Sequence, residues 1–98
     1  MIPTLETVVP ILRKEKPYLH EHFGITELGV FGSVARGEAT EESDIDVLVS
    51  FQTIPNIFVY VDAVDYLGER FSAKVDVVRR EALTGKIASE IMKEVIAI

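Results

Sequence analysis

Two aspartates separated by one residue, Asp44 and Asp46, carry the strongest sign of metal chemistry in this sequence. They stand at the start of an apolar, β-branched run that is typical of a strand, and side chains two apart on a strand point to the same face. The two carboxylates are therefore expected to converge on one cation. Hard oxygen ligands of this kind favour Mg²⁺ or Mn²⁺ over softer metals. Alternatively, both aspartates are ordinary turn residues that precede the strand.

A third aspartate, Asp76, lies between Val75 and Val77 in a run that is otherwise typical of a buried strand. If it is close to the first pair, its carboxylate would help to hold a metal and would accept the proton of an attacking hydroxyl group. The simpler interpretation is that Asp76 occupies the exposed face of an alternating strand.

Gly32 and Ser33 form a candidate phosphate-binding turn between a strand end and a helix start. A glycine allows a phosphate to approach the backbone closely. The serine hydroxyl and the free amides at a helix start can donate hydrogen bonds to phosphate oxygens. A Gly-Ser pair is also common in turns that bind nothing, so it is informative only together with the aspartates.

The hydrophobic pattern predicts the elements that would position these residues, in the order helix, strand, helix, strand, helix, strand, helix. Thr4 is the expected N-cap of an initial helical region that ends near Phe23, with Gly24 as its stop. Because Pro10 and Pro17 lie inside this region, we expect two helical pieces or one broken helix. Strands are predicted at 28–31, 45–51 and 75–78, a short helix start at 33–36, and helices after Pro55 and Asn56 and over 81–98.

Both of the last two predicted helices have an apolar stripe that is expected to face the core. In the first of them the stripe comprises Ile57, Tyr60, Val61, Val64, Leu67 and Phe71. In the second it comprises Ile87, Ile91, Val95 and Ile98.

Composition limits the classes of protein that this chain can represent. Its 98 residues, 48% of them hydrophobic, suit a single folded domain over residues 1–98. The formal net charge of −6 disfavours direct nucleic-acid binding, and the absence of cysteine excludes disulfides and thiolate metal sites. Residues 1–13 lack the pattern of a signal peptide, and no apolar run reaches the ~20 residues that span a bilayer. A cytoplasmic location is therefore expected.

The spacing of these motifs resembles a known family signature. In the stretch GSVARGEATEESDIDVLVSF, residues 32–51, ten residues separate the Gly-Ser pair from the D-x-D motif. This spacing resembles the GS-x10-D-x-D signature of the minimal nucleotidyltransferases in the polymerase β superfamily. The resemblance continues through the following amphipathic helix to the KVDVV strand, and it covers most of the chain from Ile25 onward.

The resemblance implies a fold and a set of site residues. The fold would be of the α/β (α+β) class, with a small mixed β-sheet flanked by helices. Gly32 and Ser33 would hold the triphosphate of the nucleotide. The catalytic, metal-binding carboxylates would be Asp44, Asp46 and Asp76, with two Mg²⁺ ions.

Two further residues match the family pattern, and each has two alternative roles. Arg36 corresponds to a frequent arginine of the family and would either contact the phosphates or brace the loop. Ser43 precedes the two metal-binding aspartates and would either contact the nucleotide or cap the turn.

The resemblance also implies an activity and a partner. Minimal proteins of this family are encoded with a small helical HEPN-domain ribonuclease toxin, and members silence that toxin by transferring AMP onto one of its tyrosines. The leading hypothesis is therefore a protein adenylyltransferase antitoxin that uses Mg²⁺ and ATP, or another NTP, and acts as an oligomer or in a complex with its partner. Two alternatives stay open: an antitoxin that neutralises its partner by binding alone, and a transferase of nucleotides to a small molecule.

Other chemistry-bearing residues favour simpler interpretations. His20 and His22 are two apart on a predicted helix, so they do not face each other and make a poor zinc site. Glu38, Glu41 and Glu42 are expected in a solvated loop. The tyrosines are expected at the edge of the core: Tyr18, Tyr60 and Tyr66.

Overall fold

The computed structural model describes residues 2–98, and the chain begins with a single long helix, α1 (Leu5–Phe23). Thr4 caps its start, because its side-chain oxygen accepts a hydrogen bond from the Thr7 amide at 3.3 Å. Gly24 ends it in the left-handed region at φ 74°, which residues with a side chain adopt only with strain. Both predicted helix ends are confirmed.

The predicted break at the prolines is wrong, since α1 runs through both Pro10 and Pro17. These two residues are seven apart, so they lie on one face of the helix, and both are exposed. The carbonyl groups that lose their intrahelical partners therefore face water, which can replace the missing hydrogen bonds. The opposite face buries Val8, Leu12 and Leu19 in the core, and this burial outweighs the local cost of the prolines.

Replacing Pro17 by alanine should stabilise the protein, because alanine restores an intrahelical hydrogen bond and removes the ring from the preceding turn. The greater freedom of the unfolded chain offsets part of this gain. We expect the free energy of unfolding to rise by about 1 kcal/mol, measured by urea denaturation. Lys14→Ala, at an exposed position of the same helix, is the matched control. A variant less stable than this control would contradict the expectation.

Four strands form one mixed sheet in the order β3-β2-β1-β4. They are β1 (Ile25–Phe31), β2 (Ile45–Phe51), β3 (Val75–Arg79) and β4 (Ile96–Ala97). β1 pairs antiparallel with β2 and with β4, whereas β2 and β3 are parallel. The bounds of β2 are those predicted, and β1 starts at residue 25 rather than at residue 28. The predicted class, a small mixed sheet flanked by helices, is confirmed.

The two helices between the first three strands have different roles. α2 (Gly32–Arg36) is the short helix predicted after the first strand, and it directly follows β1. α3 (Ile57–Phe71) is the crossover that parallel strands require between β2 and β3. Asn56 caps its start by accepting a hydrogen bond from the Val59 amide at 2.9 Å.

The apolar stripe predicted for α3 is only partly correct. Leu67 and Phe71 are buried as expected, but Ile57 and Val61 are 65% and 44% exposed. Ala63 is fully buried in their place, because the helix is rotated so that a small residue faces the sheet.

The last predicted helix, over residues 81–98, is divided in the structure. A short 3₁₀ helix (Arg80–Ala82) precedes α4 (Gly85–Glu94), and the chain then extends into β4. β4 pairs with the edge of β1, whose backbone groups would otherwise lack partners in the sheet. Gly29 permits the close approach, since a Cβ atom there would lie 2.6 Å from Val95 Cγ2. None of the residues of α4 is buried, so Ile87 and Ile91 of its predicted stripe do not form a core face, whereas Ile98, beyond the helix, is partly buried against the core.

The core lies between one face of the sheet and the helices α1 and α3. Side chains of β2 alternate, so one set faces this core while Asp46 and Leu48 lie on the opposite face, towards α4. Among residues 2–98, no helix is both long enough and apolar enough to cross a membrane. The largest fully buried side chains are Val8, Leu12, Leu19, Val30, Val34, Ile45, Val47, Val49 and Leu67.

Candidate active site

Asp46 and Asp76 are brought together by the register of the sheet. They are directly paired residues on the parallel strands β2 and β3, and neighbouring strands are about 4.8 Å apart. Their neighbours Ile45 and Val75 point into the core, so both carboxylates lie on the opposite face. Asp46 is half-buried and Asp76 is exposed. Asp76 thus lies on the exposed face of an alternating strand, as the simpler interpretation predicted. Asp46 lies on the same face of the sheet.

Gly32 lies directly against Asp46, at the point where β1 passes into α2. A Cβ atom on Gly32 would lie 2.0 Å from Asp46 Oδ2 and 2.9 Å from Asp46 Cγ, so the carboxylate could not keep its position. Gly32 also has a φ of 73°, in the left-handed region that favours glycine. Steric and backbone requirements therefore both select glycine beside the carboxylate.

Negative charge accumulates around Asp46. Burial raises the pKa of its carboxyl group, and the neighbouring carboxylates Asp76 and Asp44 raise this pKa further. Arg36 acts in the opposite direction but more weakly than any of these three effects. A divalent cation would relieve this repulsion, and carboxylate oxygens are the donors that Mg²⁺ prefers. The donor set therefore fits Mg²⁺.

Asp44 lies just before β2 and forms an ion pair with Lys74, with Oδ2 and Nζ 3.5 Å apart. The lysine side chain is 75% exposed, so the pair is weak and readily exchanged. Among the residues 2–98, no group of three or more His, Asp or Glu side chains is arranged so that it could hold a metal ion. The structure thus pairs Asp46 with Asp76 but leaves Asp44 turned to Lys74, and the three-carboxylate metal site stays a prediction.

An internal carboxylate occupies the predicted phosphate-binding turn. The Gly32 amide donates a hydrogen bond to Glu94 Oε1 at 2.9 Å, and Arg36 Nη1 donates to both oxygens of the same carboxylate at 3.0 and 3.3 Å. The Gly32 amide, and to a smaller degree Arg36, lower the pKa of Glu94. Arg36 Nε also donates to Glu38 at 2.8 Å, so the arginine braces the loop, and its contact with the phosphates stays a prediction.

The two candidate serines differ in their surroundings. Ser33, in the first turn of α2, is half-buried, and its backbone carbonyl accepts a hydrogen bond from the Glu38 amide. Ser43 Oγ accepts a hydrogen bond from the Thr40 amide at 2.8 Å, and the Ser43 amide donates back to the Thr40 carbonyl at 3.1 Å. Ser43 therefore caps the turn, and nucleotide contacts of both serines stay predictions.

An open cleft of about 470 Å³ adjoins the paired aspartates. Asp46 and Asp76 are among its lining residues, together with Tyr60 from α3 and Ile87 and Ile91 from α4. The Tyr60 hydroxyl donates a hydrogen bond to the Val77 carbonyl, which joins α3 to β3 beside the cleft. The arrangement combines two carboxylates, one partly apolar wall and access from solvent.

Sequence analysis missed Glu94 and Lys74 as parts of this region. Glu94 meets Gly32 across 62 positions of sequence and lies on a helix whose acidic residues otherwise suggest a solvated face. Lys74 had a weak local signal, because it precedes Asp76 by two positions and alternation places both on one side of the strand.

The histidines, the other two tyrosines and the acidic loop lie at the surface or at the edge of the core, and only Tyr18 departs from its predicted position. His20 and His22 are exposed, and His22 stacks on Tyr18 with ring centroids 5.0 Å apart. Tyr60 and Tyr66 are partly buried against the core as predicted, whereas Tyr18 is 44% exposed and stacks on Tyr66. The acidic loop around Glu38, Glu41 and Glu42 is exposed.

The sheet, the Gly-Ser turn and the paired aspartates define a class of protein. The family model for the nucleotidyltransferase domain matches residues 12–98, and the chain belongs to this family. Its class is therefore that of the nucleotidyltransferase enzymes.

Individual relatives are similar over nearly the whole chain. The protein adenylyltransferase MntA of Thermococcus cleftensis is 42% identical over 93 residues, which cover 95% of this chain and 94% of that protein. A solved structure described as a candidate minimal nucleotidyltransferase has 32% identity and a TM-score of 0.80, covering 97% and 96% of the two chains.

A more distant solved structure shares the fold. It is the complex of a tri-AMPylated Shewanella oneidensis HEPN toxin with its MNT antitoxin. The matched chain of that complex has 15% identity and a TM-score of 0.60, covering 94% of this chain and 66% of that chain.

Proposed function

We propose that this chain is a Mg²⁺-dependent protein adenylyltransferase that transfers AMP from ATP onto a tyrosine of a HEPN-domain toxin and thereby acts as its antitoxin. The observation that carries the proposal is the contact between Gly32 and Asp46, next to Asp76. This contact places a backbone amide that binds a carboxylate beside two paired aspartates. The name of the Thermococcus relative and the HEPN complex of the Shewanella protein support the acceptor class.

Asp44, Asp46 and Asp76 are the residues that would hold Mg²⁺. When bound, the cation would neutralise the triphosphate and stabilise the charge that develops as pyrophosphate leaves. Asp44 would exchange its weak pairing with Lys74 for this role.

The chain's own groups would orient the reactants. Gly32, Ser33 and Arg36 would hold the triphosphate so that the acceptor hydroxyl attacks the α-phosphorus in line. The new bond joins the tyrosine oxygen to the α-phosphorus, and the bond from the α-phosphorus to the bridging oxygen of the β-phosphate breaks. Asp76, exposed at the cleft, would accept the proton of the tyrosine hydroxyl, and pyrophosphate would carry away the electron pair.

The cleft suits an aromatic acceptor. Ile87 and Ile91 provide an apolar wall beside the carboxylates, and Ile87 is 66% exposed. A tyrosine ring packed on this wall would bury apolar surface while its hydroxyl group pointed towards Asp76. This chemistry favours a protein tyrosine over a polar small molecule as the acceptor.

The test is label transfer from ATP to a purified HEPN-domain toxin with Mg²⁺ present. Label from the α-phosphate should enter the toxin band, label from the γ-phosphate should not, and a Tyr→Phe change at the modified toxin residue should abolish the signal. The Asp44→Asn/Asp46→Asn double variant of the antitoxin is the control. Entry of γ-label would instead indicate phosphoryl transfer. Toxin binding and inhibition without label, equal in both versions, would establish the binding-only alternative.

Replacing Lys74 by glutamine should strengthen cation binding. The change frees Asp44 from its ion pair and removes a positive charge beside the carboxylates. Because exposed ion pairs contribute little, we expect Mn²⁺ affinity to rise only about twofold to fivefold, measured by titration calorimetry without nucleotide. Lys14→Gln removes the same charge from the exposed side of α1 and should change nothing. Equal Mn²⁺ affinity in both variants would indicate that Asp44 does not bind the cation.

A further inference from the structure

The contact between Glu94 and Gly32 joins the last residue of α4 to the turn that is proposed to bind triphosphate. We propose that Glu94 is an internal substitute for a nucleotide phosphate: its carboxylate occupies the Gly32 amide and the Arg36 guanidinium in the free protein, and an incoming triphosphate must displace it. The inference rests on the proposed function, because it assigns a competitor to the same anion-binding groups.

The partners of Glu94 are groups that recognise an oxyanion. A backbone amide and a guanidinium group bind carboxylate and phosphate oxygens with similar geometry. Gly32 donates its single amide proton to Glu94 Oε1, so no other acceptor can use that proton while the contact is present. Arg36 Nη1 reaches both oxygens of Glu94, at 3.0 and 3.3 Å. The Gly32 amide and one guanidinium nitrogen of Arg36 are therefore engaged by one internal anion.

The position of Glu94 in α4 is otherwise unfavourable. A carboxylate at the last residue of a helix lies beside the negative end of the helix dipole and is destabilised there. The contacts with Gly32 and Arg36 compensate for this position. They thus explain why the side chain turns towards β1 and α2 instead of remaining in solvent.

The helix that carries Glu94 is loosely attached. None of the residues of α4 is buried. The chain beyond it is held by the two-residue strand β4 and by Ile98, whose side chain is partly buried against the core and whose amide and carbonyl form hydrogen bonds with Leu28 and Lys16. Displacement of Glu94 therefore breaks few packing contacts. Since α4 also supplies Ile87 and Ile91 to the cleft, release of Glu94 would couple nucleotide binding to the shape of the acceptor side.

The experiment compares ligand binding by wild-type protein, Glu94→Ala, Glu94→Gln and Glu90→Gln in titration calorimetry. Glu90 is exposed one turn earlier on α4, so Glu90→Gln removes the same charge outside the contact. The ligands are ATP, inorganic tripolyphosphate and adenosine, each with Mg²⁺. We expect Glu94→Ala to bind ATP and tripolyphosphate about tenfold more tightly than wild type, because the competing conformation is removed. Glu94→Gln should show a smaller gain, and adenosine affinity should not change.

A second readout follows the Gly32 amide directly by ¹⁵N nuclear magnetic resonance. Its proton should move upfield in Glu94→Ala, where the acceptor is gone, and return downfield when tripolyphosphate is added. Equal triphosphate affinity in wild type, Glu94→Ala and Glu90→Gln would overturn the displacement of Glu94 while leaving nucleotidyl transfer intact. Binding of neither ATP nor tripolyphosphate by any of the proteins would overturn both proposals. Weaker binding in Glu94→Ala would also reject the competitor role.

Discussion

Asp46→Asn is expected to abolish nucleotidyl transfer and to leave the fold intact. The change preserves the size of the side chain beside Gly32 but removes the charge that a cation requires. Loss of several kcal/mol of transition-state stabilisation corresponds to a rate decrease of about 10³-fold or more. The measurement is the initial rate of AMP transfer onto the toxin, with protein concentrations matched.

The thermal stability of the same variant separates this role from a structural one. Asp46 is destabilised as an anion by burial and by the charges of Asp76 and Asp44, which together raise its pKa. An amide at this position carries no charge, so the variant without metal should melt at the same temperature as wild type or higher. Mg²⁺ should stabilise the wild type and have little effect on Asp46→Asn. A variant that melts well below wild type would show that Asp46 contributes to folding instead.

The same assay distinguishes the proposed role of Asp76 from that of Asp46. Asp76→Asn removes the proposed proton acceptor and one of the three proposed Mg²⁺ ligands, and general bases of this kind contribute about 10²- to 10⁴-fold. Asp76 is more exposed than Asp46, so water can take over part of its role. The loss of rate should therefore be smaller than for Asp46→Asn.

Local chemistry made parts of the fold predictable from sequence. Thr4 and Gly24 determine the ends of α1 through their own hydrogen bonds and backbone angles, so no distant residue is needed to recognise them. β2 was predicted with its correct ends because both its faces are largely buried in the interior of the sheet, which requires a continuous apolar run.

Elements that depend on distant partners were not predictable in the same way. β4 is only two residues long, and its extended form results from pairing with Gly29 and Val30 of β1. Residues 96–98 had helical spacing with those before them, and the local pattern could not reveal a free strand edge. The continuous α1 has a similar origin, because burial of Leu12 and Leu19 around its prolines is a property of the whole domain.

The residues of the candidate site show the same difference between local and distant determinants. The pairing of Asp46 with Asp76 follows from two adjacent parallel strands, and each aspartate has a recognisable strand around it. The contact of Glu94 with Gly32 follows only from the docking of α4 against the end of β1, which no local pattern determines. Sequence therefore identified the residues proposed to perform chemistry but not the residue that competes with the ligand.

Gly32→Ala is expected to eliminate most activity because its methyl group would overlap the Asp46 carboxylate. The added Cβ atom would lie 2.0 Å from Oδ2, so Asp46 must rotate or the end of β1 must shift. A displacement of about 1 Å in a reacting group costs on the order of 10²-fold in rate. The left-handed φ of 73° also strains alanine, and we expect the free energy of unfolding to fall by about 1–3 kcal/mol.

Gly24→Ala separates the two effects of this substitution. Gly24 has nearly the same φ, 74°, but a Cβ atom there would meet nothing within 4 Å, and the residue lies at the far end of β1 from Gly32. Both variants should therefore lose stability through backbone strain, while only Gly32→Ala should lose transfer activity and Mg²⁺ stabilisation. Comparable activity in the two variants, measured well below their melting temperatures, would mean that Asp46 can leave its position against Gly32 without consequence. The contact that carries the proposed function would then not be part of the catalytic arrangement.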